Sequence, residues 1–250
     1  AVATGGAALA ALALQAALPG GWAGALLGGA LAWPLVALRS MHAHVAAVAT
    51  PLAAGDTAAA RDAVRLIVGR DPAGLDAQGV ARAALESLAE NTSDGIVAPI
   101  FWGAIAGLPG IAAYKAINTL DSMIGHRSAR YADFGMAAAR LDDVANWIPA
   151  RLTGLVFAAT APRPRAALAA MARDARRHRS PNAGWPEAAM AGALGVRLSG
   201  PRLYGATLAE EPWLNGGAPD PAPRDLGRGL ALYRRAMAAT LVALAGLALL

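Results

Sequence analysis

No charged side chain occurs before Arg39. Thirty-eight uncharged residues are too many for one core helix and suit two short membrane spans, broken at Pro19-Gly20-Gly21. A secretory signal peptide would need a basic start, which Ala1-Val2-Ala3 lacks. The rest of the chain points the same way. Hydrophobic residues make up 56% and charged residues 16%, where soluble domains carry about 45–50% and about 25%. The mean hydropathy is +0.40. The predicted class is all-α: a multi-spanning helical integral membrane protein with broken or re-entrant helices and cytoplasmic helical loops. An alanine-rich soluble helical protein is the alternative.

The absence of cysteine excludes disulfide scaffolds, zinc ribbons and thiol nucleophiles. The net charge is +5, and Lys115 is the only lysine among 22 basic residues. Six arginines fall between Arg163 and Arg179. No nucleic-acid recognition module accompanies them, so no nucleic-acid partner is expected. Short arginine-rich loops that stay in the cytoplasm explain them better.

The 250 residues read as a single membrane domain. Residues 1–38 form a helical pair (Thr4–Leu18 and Trp22–Leu38), and residues 39–95 a cytoplasmic helical loop. In that loop Asp56 caps one helix, Gly69-Arg70-Asp71-Pro72 ends it, and a second runs from about Asp76 to Glu90. Residues 96–161 hold membrane helices and a polar segment. Gly107-Leu108-Pro109-Gly110 should break the first of these into half-helices facing a site, and Trp147–Ala161 is another span. Residues 162–235 are basic and irregular loops, aperiodic from Leu198 to Gly229, with a short apolar stretch at Ala188–Val196. Residues 236–250 are the last span.

Between Arg82 and Arg151 acids, amides and hydroxyls crowd into apolar text, a density that usually marks a site. Glu86, Glu90 and Asp94 stand at i, i+4 and i+8, so a continuing helix stacks three carboxylates that need a cation. Magnesium, a hard ion that takes carboxylate oxygen, is the candidate. The alternative is a solvated face with Arg82 pairing Glu86, and a turn at residues 91–95 would break the third alignment. Lys115, Asn118, Asp121 and Ser122 share a helical face that resembles a substrate-holding surface. The lone lysine suggests a compact ammonium against a phosphate or acyl oxygen, or else simple drift. Arg140, Asp143 and Asn146 are spaced three apart beside Asp142, and Arg140–Asp143 also suits a plain intrahelical ion pair. Ser180-Pro181-Asn182-Ala183-Gly184-Trp185-Pro186-Glu187 should resist regular helix and present Asn182 and Trp185 to a planar ligand. A membrane re-entry turn anchored by Trp185 is the other reading. The basic run before it would attract an anion such as a phosphate.

These stretches resemble the adenosylcobinamide-phosphate synthase family of cobalamin biosynthesis, the CobD/CbiB membrane proteins. The matching text includes RAALESLAENTSDGIVAP, GLPGIAAYKAINTLDSMIGHRSARYADFG, AARLDDVANWIPARLT and HRSPNAGWPEAAMAGALGVRLSG. The resemblance runs from about Arg39 to Gly205 and weakens beyond. It implies a ligase that forms a carbon–nitrogen amide bond, attaching aminopropanol or its phosphate to a propionate of adenosylcobyric acid. ATP and Mg2+ are the implied cofactors. Glu86, Glu90, Asp94, Lys115 and Asp121 are the expected catalytic residues, with Glu86, Glu90 and Asp121 as magnesium ligands. Asn91, Asn118, Ser122, Arg127, Arg140, Asp143, Asn146, Asn182, Trp185 and Glu187 are expected to bind substrate. The corrin's amide rim would meet asparagines, and its flat face Trp102, Trp147 and Trp185. The implied setting is the cytoplasmic (inner) membrane with the active site facing the cytoplasm. Implied partners are the corrinoid, the amine, the bilayer and other cobalamin-pathway enzymes. Relatives carry an additional Asp-rich segment ahead of this text, so the chain is expected to lack the family's N-terminal part.

Two readings compete. Broken helices and buried polar groups are also transporter features, and a non-catalytic membrane sensor could share the fold.

Overall fold

The computed structural model describes residues 2–69, 71–125, 132–204 and 207–249, and it is an all-α membrane protein. Three helical stretches, Gly21–Ala53, Ala77–Ile124 and Pro223–Leu247, are long and apolar enough to cross a bilayer, and Val2–Ala16 is a shorter apolar helix. Leu9, Leu12, Trp22, Leu26, Ile105 and Val242 point outward, the surface a lipid solvent accepts and water does not. Two compact units appear, residues 1–38 with 94–149 and residues 39–93 with 150–250.

The first unit opens with α1 (Val2–Ala16) and α2 (Gly21–Ala32), parted at the expected Pro-Gly-Gly. The second helix stops short of the expected Leu38, because Pro34 tightens Trp33–Leu35 into a 3-10 turn. Helix α1 packs on α6 (Ala98–Leu120). That helix is broken as expected: Ala106 (φ −132°) and Gly107 (φ 62°) leave helical geometry ahead of Pro109. The freed N–H of Leu108 donates to Gln15 Oε1 at 2.7 Å. A Cβ on Gly107 would lie against the same Gln15 side chain, and the left-handed φ favours glycine there. Ala11, Leu108 and Ile111 form the core at this crossing. A second core joins Ala98, Tyr114 and Ala145, bringing α6 against α7 (Ala132–Ala145).

The second unit contains α4 (Thr57–Val64), α5 (Ala77–Thr92), α9 (Pro164–Asp174), α10 (Gly184–Leu194) and α11 (Pro223–Leu247), with most of α3 (Leu38–Ala53) and α8 (Trp147–Thr160). Asp56 caps α4 through the Ala59 N–H (2.9 Å), and Asp76 caps α5 through the Gly79 N–H (2.7 Å). Small residues set the packing of α9 on α10. A Cβ on Gly192 would come within 2.5 Å of the Ala166 carbonyl oxygen, so only glycine permits that approach.

Three expectations need correction. Residues 91–95 do not end the helix: a π-helical turn, Ser93–Val97, carries the chain from α5 into α6, and another, Asp121–Gly125, extends α6. The 180–187 segment is irregular only in its first part. Gly184, Trp185, Pro186 and Glu187 form the first turn of α10, where a proline's missing N–H has no helical partner to lose. The aperiodic stretch from Leu198 is not formless. β1 (Leu198–Ser199) pairs antiparallel with β4 (Trp213–Leu214), and β2 (Arg202–Tyr204) with β3 (Thr207–Ala209). Helix α11 then starts at Pro223, with Asp225 accepting the Ala222 N–H at 2.8 Å.

Candidate functional site

In the first unit a polar chain runs across α6 and α7. The Tyr114 hydroxyl lies 2.8 Å from the Asp94 carbonyl oxygen and 2.9 Å from Asn146 Oδ1, both acceptors. Asn146 Nδ2 donates to Asp142 Oδ2 at 2.9 Å, and Asn118 Nδ2 donates to Asp142 Oδ1 at 3.3 Å. Asp142 and Asn146 are buried, so each hydrogen bond here replaces lost water. Burial raises the Asp142 carboxyl to about 6, with the charges of Asp121 and Asp143 adding to it and the two asparagine amides opposing it. Asp143 is raised as well, by burial and Asp121, against the pull of Arg140. Three carboxyl groups thus feel one another, and one of them titrates near neutrality.

Lys115 is half-buried on α6 and lies in the field of Asp94. Ser122, exposed, donates back to the Asn118 carbonyl oxygen at 2.9 Å. Beside the polar chain lies an apolar cavity of about 430 Å³. Trp102, Pro109, Tyr114, Ile117, Leu141 and Val144 are among its lining residues, and Trp102 is held by its indole N–H on the Ala145 carbonyl oxygen at 3.0 Å.

The first unit therefore collects Asn118, Asp121, Asp143 and Asn146 around Asp142, with Asp94 and Lys115 in the same unit and Arg140 exposed near Asp143. Arg127 lies outside the described residues. Glu86, Glu90, Asn91, Asn182, Trp185 and Glu187 belong to the second unit. There Glu86 is buried, and its Oε1 accepts the N–H of Ser199 at 2.7 Å. Arg82 pairs Asp220 at 2.8 Å rather than Glu86. Glu90 is exposed, and Asn91 Nδ2 donates to the Ser87 carbonyl oxygen one turn back at 2.9 Å. The Arg151 guanidinium lies 4.5 Å from the centre of the Trp185 ring and donates to Asn182 Oδ1 at 3.4 Å. One face of the indole therefore already carries a cation. Glu187 is buried 3.9 Å from His178 Nε2.

Sequence reasoning left out Tyr114 and made Asp142 only a neighbour. A signal for Asp142 was available, a carboxyl beside Asn146 and Asp143 next to apolar helices. Only the packing of α6 on α7 makes Asn118, Asp142 and Asn146 one network. Among the described residues no three His, Asp or Glu side chains gather as a ready metal cage. Magnesium commonly takes one or two carboxylates and completes its shell with water and phosphate oxygens. The mutual repulsion of Asp121, Asp142 and Asp143 fits that mode.

The model of the family described as CobD/Cbib protein matches residues 1–233. The chain belongs to this family. Among CobD/Cbib relatives, the cobalamin biosynthesis protein CobD of Rhodobacter capsulatus is 75% identical over 228 residues, covering 91% of this chain and 73% of that protein. The protein of the same name from Brucella suis is 54% identical, covering 89% and 70%. That of Rhizobium meliloti is 53% identical, covering 83% and 62%. No solved structure matches the chain.

Proposed function

We propose that this CobD/Cbib chain acts in cobalamin biosynthesis as an amide-forming ligase. It would attach aminopropanol, or its phosphate, to a propionate side chain of adenosylcobyric acid, giving adenosylcobinamide or its phosphate. The observation that carries the reading is Asp142, a buried carboxyl raised to about 6, hydrogen-bonded by Asn118 and Asn146, in the field of Asp121 and Asp143, and next to an apolar cavity. A group titrating near neutrality suits a base that takes the amine's proton as the C–N bond forms. Asn118 and Asn146 orient that base. Lys115 supplies the cation for the oxygen on which charge develops. ATP would supply the activation that lets a carboxylate accept an amine. Asp121 and Asp143 are the residues of this unit suited to its magnesium; Glu86 and Glu90, in the second unit, are proposed as acids for a magnesium of their own. Asn91, Asn182 and Trp185 are proposed to meet the corrin rim. Cytosolic supply of ATP and corrinoid, with the Arg163–Arg179 run, supports an inner-membrane protein whose site faces the cytoplasm.

The test is product formation by the purified protein supplied with adenosylcobyric acid, each amine and ATP–Mg2+. Amide product with matching nucleotide turnover is expected, and neither with any amine would end the reading. The break in α6 favours one competitor, a transporter. Corrinoid crossing a proteoliposome membrane chemically unchanged would select it.

A further inference from the structure

The second unit holds a cavity that the reaction above does not use. It measures about 520 Å³ and is lined by Arg173, Asp174, Arg177, Trp213, Asn215 and Gly217, among others. Its floor is Asp174, the last residue of α9 and 1% exposed. Asp174 Oδ2 accepts the N–H of Asn215 at 2.8 Å and an Arg173 Nη2 N–H at 2.7 Å, and Oδ1 accepts from Arg173 Nε at 3.0 Å. Arg177 Nη1 lies 3.5 Å from Oδ1. Burial works against the charge on Asp174, but the hydrogen bonds and the two guanidiniums outweigh it and hold the carboxyl below its usual range.

One buried anion thus holds Arg173 by hydrogen bonds, pairs with Arg177, and leaves a net positive charge at the cavity. Arg173 spends three of its five N–H groups here, on Asp174 and on Asn215 Oδ1 (3.3 Å), and Nη1 carries the other two. The side chains of Arg173 and Arg177 remain 55% and 63% exposed. Further lining comes from Asn215, at a left-handed φ of 56°, and from the Trp213 ring, which is covered by Arg197 at 4.1 Å and packed against Gly200. Paired, pre-oriented guanidiniums match the oxygens of a phosphate in geometry and charge.

We propose that this cavity binds a phosphate group through Arg173 and Arg177, with Asp174 as the buried carboxylate that orients both. The phosphate could belong to a small soluble phosphomonoester or to an anionic lipid headgroup. The assignment does not depend on the ligase reading, because binding is read without turnover.

The test uses the full chain in a maltoside detergent, which carries no phosphate, and titrates inorganic phosphate by calorimetry. Saturable binding is expected. Arg177→Gln should weaken it about tenfold or more, the cost of a lost charged hydrogen bond. Arg173→Lys, which keeps charge but loses the fork, should weaken it less than Arg173→Gln. Arg176→Gln removes an exposed arginine outside the cavity and should stay within about twofold, with unchanged thermal unfolding in each variant that is compared. Competition identifies the source. Displacement by glycerol phosphate alone supports a soluble phosphoester site, and displacement by short-chain phosphatidylglycerol alone supports a headgroup site. No saturable phosphate binding, or an equal loss in Arg176→Gln and Arg177→Gln, overturns the proposal.

Discussion

Asp142 joins a stability cost to a chemical use. Its carboxyl moves from 3.8 to about 6 on folding, so the folded protein holds this proton more tightly than the unfolded chain. Stability from this group is therefore present below about pH 4 and lost as pH rises through about 6, by about 3 kcal/mol. Asp142→Asn should flatten that slope, which unfolding in detergent across pH 4–8 will show; an unchanged slope removes Asp142 as the cause. Activity should run the opposite way. A base works only when deprotonated, so wild-type amide formation should climb between pH 5 and 7, and Asp142→Asn should lose about a hundredfold or more. Wild-type turnover in that variant would exclude Asp142 as base. Glu86 needs a paired experiment, since its carboxylate already holds the Ser199 N–H at a left-handed corner (φ 63°). Glu86→Ala should destabilise by about 1–3 kcal/mol by stranding that donor. Glu86→Gln keeps an acceptor there, so a hundredfold activity loss at normal stability would mark a chemical role. Normal turnover would leave Glu86 a scaffold residue.

At the scale of elements, the break in α6 was legible because Gly-Leu-Pro-Gly cannot continue a regular helix. Its partner was not. Gln15 lies 93 positions away, and only the packing of α1 on α6 brings its carbonyl oxygen to the Leu108 N–H. Without that acceptor the N–H would be left in apolar surroundings. Gln15→Leu should therefore cost about 1–3 kcal/mol in a chemical-unfolding assay. Equal stability in Gln15→Leu and wild type would mean the bond contributes nothing. The two π-helical turns had no readable signal, because Ser93–Val97 and Asp121–Gly125 carry acids and glycines that read as turns. The 180–187 segment misled for a related reason. Pro186 signals irregularity in isolation, yet it sits in the opening turn of α10, where helices tolerate it.

For the whole molecule, exposed leucines on α1 and α2, the exposed Trp22 and three long apolar stretches agree on a bilayer setting. We propose that the arginines of residues 163–179 mark the face that stays inside. The chain contains no cysteine, so a single Ala172→Cys, exposed on α9, gives a clean reporter. A membrane-impermeant maleimide should label it only after cells are opened. Labelling in intact cells would reverse the assigned topology.

The sequence by itself determined the membrane class, most helix positions, the Asp56 cap, the break near Pro109 and the resemblance to the family. All but the family follow from local composition, capping or short motifs, whose physics acts within a few residues; the family rests on resemblance over long stretches. It also marked Asn118, Asp121, Asp143 and Asn146 as unusual, since polar groups in apolar helices are costly wherever they stand. Only the tertiary structure decided which of these meet. Asp142 is central because α7 packs on α6, and its raised carboxyl comes from burial and from neighbours on both elements. The strands after Leu198 likewise have no periodicity of their own. The first of them is tied down by Glu86, more than a hundred residues earlier, through the Ser199 N–H, and the Arg82–Asp220–Arg197 pairing joins the flanks of the segment.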